Sequence, residues 1–218
     1  MSFETARHNM VWQQIRPWQV LDPSVLDLFL SLRREEFAPA PYRALAFADV
    51  ALPLGEHAGE SMLPPRVEAR ILQELAVRPQ DKVLEIGTGS GFMAALLARK
   101  AEYVVSVEID ADLAEAARAN LERAGITNVD VVTGDGVRGW PSRGPYDVIV
   151  VSGGIPKVPS ALLAQLRPGG RLAAFVGRGP AMRARLFQKD GGRTIRAATL
   201  FEAEFPPLHN FPREPFLF

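Results

Sequence analysis

The chain has 218 residues, and its 25 lysines and arginines balance its 25 aspartates and glutamates, leaving a formal net charge of zero. No global field therefore recruits nucleic acid or an anionic membrane, although Arg33, Arg34, Arg178, Arg183 and Arg185 leave local basic patches open. The absence of cysteine excludes disulfides, cysteine-ligated zinc and a thiol nucleophile, and no metal site is assigned.

The segment Met1 to Arg7 lacks the apolar core of a signal peptide, and no apolar run is long enough to span a bilayer. A cytoplasmic protein that does not engage membrane is the expectation. Residues 1–50 read as helical. Asp22-Pro23 looks like an N-cap followed by proline at the first helical position, and Val25, Leu28, Phe29 and Leu32 form one apolar stripe. Residues 51–65 form a long loop rich in glycine and proline, of the kind that is often functional in a compact domain. Residues 66–77 return to helix, with Val67, Ile71 and Leu75 on one face.

A short apolar run, Val83 to Ile86, then ends in Gly87-Thr88-Gly89-Ser90-Gly91, and helix-forming residues follow from Met93 to Lys100. Strand, tight glycine turn and helix make the start of a nucleotide-binding α/β unit, in which backbone approaches a ligand closely. Tyr103 to Val107 reads as the second strand and ends at Glu108, where an acid can accept both ribose hydroxyls of a nucleoside. An amphipathic helix covers Asp112 to Arg123, with Leu113, Ala117 and Leu121 facing inward and Gly125 as its stop.

Val129 to Thr133 is the third strand and runs into Gly134-Asp135-Gly136, whose carboxylate can reach an adenine amino group. Tyr146 to Val151 is the fourth strand, followed by an irregular loop, Ser152 to Pro156, and a short helix, Pro159 to Leu166. Pro168-Gly169-Gly170 turns into a fifth strand, Arg171 to Val176. Residues 184–189 and 194–205 read as a closing hairpin around Asp190-Gly191-Gly192, and the tail from Pro206 to Phe218 packs irregularly. This alternation predicts a mostly parallel seven-stranded sheet covered by helices on both faces, with ligands outside the carboxyl ends of the strands.

The pattern Glu85-x-Gly87-x-Gly89-x-Gly91 differs from the dinucleotide spacing and resembles motif I of Rossmann-like methyltransferases that use S-adenosyl-L-methionine. The candidate cofactor-binding residues are Glu85, Gly87, Thr88, Gly89, Ser90, Gly91, Glu108, Ile109, Gly134, Asp135, Gly136 and Ser152.

Further blocks extend the resemblance: Met10-Val11 with Gln13-Gln14-Ile15-Arg16, Arg34 to Pro39, Tyr42 to Asp49, Leu52-Pro53-Leu54-Gly55, Gly139-Trp140 and Pro168 to Leu172. With these the chain, over about residues 9–208, resembles the protein-L-isoaspartate (D-aspartate) O-methyltransferase family. The resemblance implies a single Rossmann-like S-adenosylmethionine-dependent methyltransferase domain over 1–218. Residues 1–65 would be the N-terminal helical extension and substrate loop, and 66–218 the core. It also implies S-adenosyl-L-methionine as methyl donor and the α-carboxyl of isoaspartyl residues in damaged proteins or peptides as acceptor, a protein-repair activity. A monomer with no nucleic-acid partner is expected.

The family usually carries Gly-x-Gln-(Thr)-Ile-Ser-x-Pro before the helix, with a hydroxyl serving the active site. Here Glu60 stands at the glutamine, Ser61 at the threonine, Met62 at the isoleucine and Leu63 at the serine. The candidate catalytic positions are therefore Ser61 and the substituted Leu63. His57, Arg66 or Arg70 could offset the charge of Glu60. Two alternatives stay open: a methyltransferase acting on a small molecule, a modified peptide or RNA, and a non-catalytic adenosyl-binding protein.

Overall fold

The computed structural model describes residues 2–55, 59–192 and 194–211; Glu56 to Ala58 of the long loop and the end of the tail lie outside the described residues. The N-terminal extension begins with helix α1 (Phe3–Met10), whose N-cap Ser2 accepts a bond from the Thr5 amide. A π-helical turn (Val11–Ile15) and a 3-10 turn (Arg16–Trp18) lead into α2 (Pro23–Ser31). Asp22 caps α2 by accepting from the Ser24 amide at 2.9 Å, with Pro23 at the first position as predicted. Its buried stripe is Val25, Leu26, Phe29 and Leu32. Leu28 is only half-buried, because α2 packs against α1 and the π-helical turn as well as α3, which rotates the covered face.

Two 3-10 turns, Arg34–Glu36 and Ala40–Leu45, precede the long loop, which is closed by the short strands β1 (Leu52–Pro53) and β2 (Ser61–Met62). Helix α3 (Pro65–Leu75) buries Val67, Ile71 and Leu75 as expected. It ends two residues early, at Leu75, and its C-cap Ala76 lies in the left-handed region at φ 44°, where the Arg171 guanidinium donates to the Leu75 and Ala76 carbonyls. A cation at a helix C-terminus satisfies carbonyls that the helix itself leaves open.

The core then runs β3 (Lys82–Ile86), α4 (Phe92–Ala98), β4 (Tyr103–Glu108), α5 (Ala111–Arg123), β5 (Val129–Thr133), β6 (Tyr146–Ile155), α6 (Ser160–Ala164), β7 (Leu166–Arg178), β8 (Ala181–Lys189) and β9 (Ile195–Glu202). The seven strands order as β5-β4-β3-β6-β7-β8-β9; the first five are mutually parallel, and β8 runs antiparallel to both its neighbours, β7 and β9. This is the mostly parallel sheet the sequence predicts. Alternation of side chains sends Val83, Val104, Val148 and Ala173 to a face packed by α2, α3, α4 and α5. Leu84, Val105, Ile149 and Leu172 go to the other face, covered by α6 and by irregular segments that include Val158 and Phe211.

Further boundaries in the sheet differ from expectation. Ser152 to Ile155 is strand rather than irregular loop. A register shift between Val151 and Gly154 lets β6 continue beside β7, pairing Gly154 with Phe175 and Ile155 with Val176. β3 stops at Ile86, and the vacated edge of β6 is taken by the tail: the Gly154 amide donates to Pro206 and its carbonyl accepts from Leu208. Pro168 to Gly170 likewise lies within β7, as an irregularity between the Tyr146–Leu166 and Val148–Arg171 pairs. The closing region contains an additional β7–β8 hairpin turning at Gly179-Pro180, and β9 ends at Glu202 rather than 205.

Candidate functional site

The direction of the sheet order reverses at β3, so a crevice opens between the carboxyl ends of β3 and β6. One cleft lies there, lined on one side by the glycine turn and on the other by the long loop. Its donor-side wall holds Gly87, Gly89, Glu108, Ile109, Asp135, Gly136 and Ser152, seven of the twelve candidate cofactor residues. Leu54, Gly59, Glu60, Ser61 and Leu63 form the loop wall, and Pro206 to His209 of the tail cross the mouth. The remaining candidates sit behind or beside the cleft. Glu85, Thr88 and Ser90 line a smaller cavity beneath Ser61 and Leu63. Gly134 follows β5 and donates its amide to the Glu108 carbonyl.

Gly89 and Gly91 lie at φ 52° and 83°, a region that costs residues with a Cβ. At Gly91 a Cβ would press on Ala117 of α5 at 3.3 Å, and at Gly89 it would meet Leu54 at 2.9 Å. Gly91 thus permits close packing of two helices, and Gly89 lets the turn run against the loop wall.

Glu108 ends β4 and is 6% exposed. One of its oxygens accepts from the Gly89 amide at 2.8 Å, which ties the acid to the glycine turn, and the other from the Asp110 amide at 3.1 Å. Asp135 is exposed; it accepts from the Val137 amide at 2.9 Å and from the Asn210 side chain of the tail at 3.2 Å. Between these acids the wall is apolar, with Ile86, Val107, Ile109, Leu113, Val137 and Phe211. Leu113, expected to point into the core, lines the cleft instead, because the first turn of α5 overhangs the strand ends.

Glu85 is wholly buried. Its oxygens accept from Ser106 at 2.7 Å and Ser152 at 2.9 Å, and Ser106 shares a further bond with Thr88 at 2.6 Å. Burial pushes its carboxyl up to about 8, against the pull of the two hydroxyls. The floor of the crevice therefore carries an acid whose neutral form is favoured well above the usual carboxylate range.

Among the described residues lining the cleft, the ionisable groups are Glu60, Glu108, Asp135 and His209, with no lysine or arginine. Such a lining suits a nucleoside with a cationic end and opposes a pyrophosphate. Arg66 pairs with Asp49 and Arg70 with Glu74, so neither offsets Glu60, while His57 lies outside the described residues. Ser61 and Leu63 both face the cleft and the cavity beneath it, together with Ser152 and Gly87.

Two groups of residues escape the sequence reading. Ser106 is a polar residue inside the apolar run Val104 to Val107, a visible signal of a buried partner. Arg34 and Glu68 form a buried ion pair under the loop wall. Glu68 falls on the same stripe of α3 as Ile71, Leu72 and Leu75, and an acid on an apolar stripe is the corresponding hint.

Comparison with known proteins places this arrangement. The sequence model of the protein-L-isoaspartate(D-aspartate) O-methyltransferase family matches residues 5–211. A protein-L-isoaspartate O-methyltransferase of Methanoculleus marisnigri is 46% identical over 171 residues, 78% of this chain and 77% of that one. Another, of Koribacter versatilis, is 39% identical over 206 residues, 94% and 91% of the two chains. A solved protein-L-isoaspartate O-methyltransferase superposes with a TM-score of 0.82 at 31% identity, covering 94% of this chain and 66% of that longer one. The chain belongs to the protein-L-isoaspartate (D-aspartate) O-methyltransferase family.

Proposed function

We propose that the chain is an S-adenosyl-L-methionine-dependent carboxyl O-methyltransferase that methylates the α-carboxyl of isoaspartyl residues in proteins or peptides. The observation that carries this reading is a single cleft with an acid-tipped glycine turn on one wall and the family's substrate loop on the other, in a chain of that family. The residues fit the donor. Glu108 would take the ribose hydroxyls and Asp135 the adenine amino group. Ile109, Leu113 and Val137 would flank the ring, while Gly87, Thr88, Gly89, Ser90, Gly91, Gly134 and Gly136 let backbone approach. Glu85 and Ser152 would hold the floor. Bound there, S-adenosyl-L-methionine supplies an electrophilic methyl group to an acceptor oxygen.

The acceptor carboxylate is ionised at neutral pH, so the protein needs no general base. Its task is to align the acceptor and strip water from it. Among the described residues Ser61 is the one hydroxyl on the loop wall, and Leu63 leaves the family's serine position apolar. Losing one donor of that kind lowers a rate by a factor of about ten to a thousand without abolishing it. Glu60 opposes an anionic acceptor. That feature favours a second reading, the same donor with a different acceptor such as a small molecule, a modified peptide or RNA.

The accompanying reading is a cytoplasmic monomer without a nucleic-acid partner, built as one domain with 1–65 as extension and loop and 66–218 as core. Zero net charge supports it, and among the described residues no helix is long and apolar enough to cross a membrane. Calorimetry with S-adenosylhomocysteine tests the donor site; absence of binding removes both methyltransferase readings. A methanol-release assay with an isoaspartyl peptide and its normal aspartyl twin tests the acceptor. Signal from the isoaspartyl peptide alone is expected. Equal or absent signal, with donor binding intact, transfers support to the second reading or to a non-catalytic adenosyl-binding protein.

A further inference from the structure

The block Arg34 to Pro39 is part of the family resemblance, yet none of the donor or acceptor roles above uses Arg34. The side chain is wholly buried and does not line the donor cleft. Its guanidinium donates in three directions: to Glu68 on α3, from Nε to the Ala46 carbonyl at 2.9 Å, and from Nη2 to the Leu63 carbonyl at 2.5 Å. It also lies 4.8 Å from the ring centroid of Phe92, the residue that opens α4 directly after Gly91. Phe29 and Phe37 of the extension pack edge-on against the same ring.

Leu63 is the loop position that corresponds to the family's serine. Leu52, Met62 and Leu63 are themselves buried in the core, but among the described residues the main chain around Leu63 is held by few hydrogen bonds. β1 and β2 are two residues long, paired through Leu52–Met62 and Pro53–Ser61, and Pro53 has no amide to give the ladder. The Leu54 amide adds one bond to the Glu60 carbonyl at 3.0 Å. A charge-assisted bond from a planar fork that is itself held on two other sides is stronger and more directional than these.

We propose that Arg34 is a positioning residue for methyl transfer, fixing the main chain at Leu63 so that the acceptor wall keeps its register with the glycine turn. The proposal rests on the methyltransferase reading above. A lysine at position 34 can keep the charge opposite Glu68 but cannot reach Ala46, Leu63 and Glu68 together. Replacing both charges, Arg34→Met with Glu68→Met, removes the desolvated pair as a unit. Such exchanges are often tolerated by the fold.

The test compares wild type, Arg34→Lys and the double variant in three measurements: affinity for S-adenosylhomocysteine, amide hydrogen exchange, and kcat and KM on an isoaspartyl peptide. In Arg34→Lys donor affinity is expected to stay within about twofold, and in the double variant to change far less than kcat, since neither Arg34 nor Glu68 lines the main cleft, although Glu68 borders the smaller cavity beside Glu85. Exchange at the Leu54 amide and across the β1–β2 ladder is expected to rise by about tenfold or more, with β3 and β4 unchanged. The kcat is expected to fall by about a hundredfold, more than KM changes, the signature of lost alignment. Wild-type exchange in the loop, an unchanged kcat, or donor affinity falling in step with kcat would each overturn the proposal. Should the wild type not turn over the isoaspartyl peptide, the functional reading fails separately, and loop exchange alone then decides whether Arg34 holds Leu63.

Discussion

The two walls of the cleft are built in different ways. The donor wall consists of strand ends and the turns that leave them. Gly87 bonds to Val107 and Gly134 to Glu108, both in the parallel sheet, and Glu108 closes on Gly89. Each of these residues is placed by elements adjacent to it in sequence or in the sheet. The loop wall is assembled from distant pieces. Leu52 and Met62 of its two short strands are buried in the core, the Leu63 carbonyl just beyond them accepts from Arg34 of the extension, and the tail opposite bonds to Gly154 through residues 206 and 208. The wall that carries the shared chemistry is thus held by regular structure. The wall to which the proposed function assigns the acceptor is held in part by long-range contacts, and it is there that Glu60 and Leu63 stand at positions of the family's loop motif.

The largest effect that sharpens this contrast concerns the floor of the donor wall. Glu85 titrates near 4.5 when unfolded and is pushed up to about 8 when folded. Between those values the folded state holds a proton that the unfolded state has lost. The contribution of this group to stability is therefore complete below pH 4.5 and fades as pH rises to 8. Glu85→Gln should flatten the pH dependence by at most about 4 kcal/mol between pH 5 and 8, as read from urea midpoints. Parallel curves for the two proteins would show that the acid is not held as described.

Next in size, Gly89→Val places a β-branched residue at φ 52° against Leu54. A loss of about 3 kcal/mol in S-adenosylhomocysteine binding is expected by calorimetry, from strain and close contact together. Glu108→Ala and Asp135→Ala should each weaken donor binding by about 1–3 kcal/mol, leaving polar partners unpaired. Unchanged affinity in both would move the adenosine elsewhere.

Changes on the loop wall are expected to leave donor affinity alone and to act on the acceptor. Leu63→Ser should raise isoaspartyl turnover by roughly tenfold, by restoring a hydroxyl facing the cleft. Glu60→Gln should lower KM for the same peptide by about 1 kcal/mol or less, because a partly exposed charge is screened. A donor affinity that shifts with either substitution would erase the distinction between the walls.

The donor wall was legible because its signals are local. An apolar run ending in glycines, an acid at the end of the next strand and an acid between glycines after the third all fall within the elements that place them. The β6 extension was misread as loop because Gly153 and Gly154 mark turns in most contexts, whereas here the bulge and the docked tail supply their backbone partners. Arg34 and Glu68 were hidden for a similar reason. Charged residues are expected at the surface, and only a partner 34 positions away makes their burial tolerable.

The amino-acid sequence by itself determined the sheet, its parallel direction and the glycine turn with its acids, since hydrophobic period and turn chemistry act over a few residues. Tertiary structure alone decided how the loop, the extension and the tail meet over that turn. Those contacts join segments far apart in the chain, and buried charges and bulged glycines become favourable only once their partners are in place.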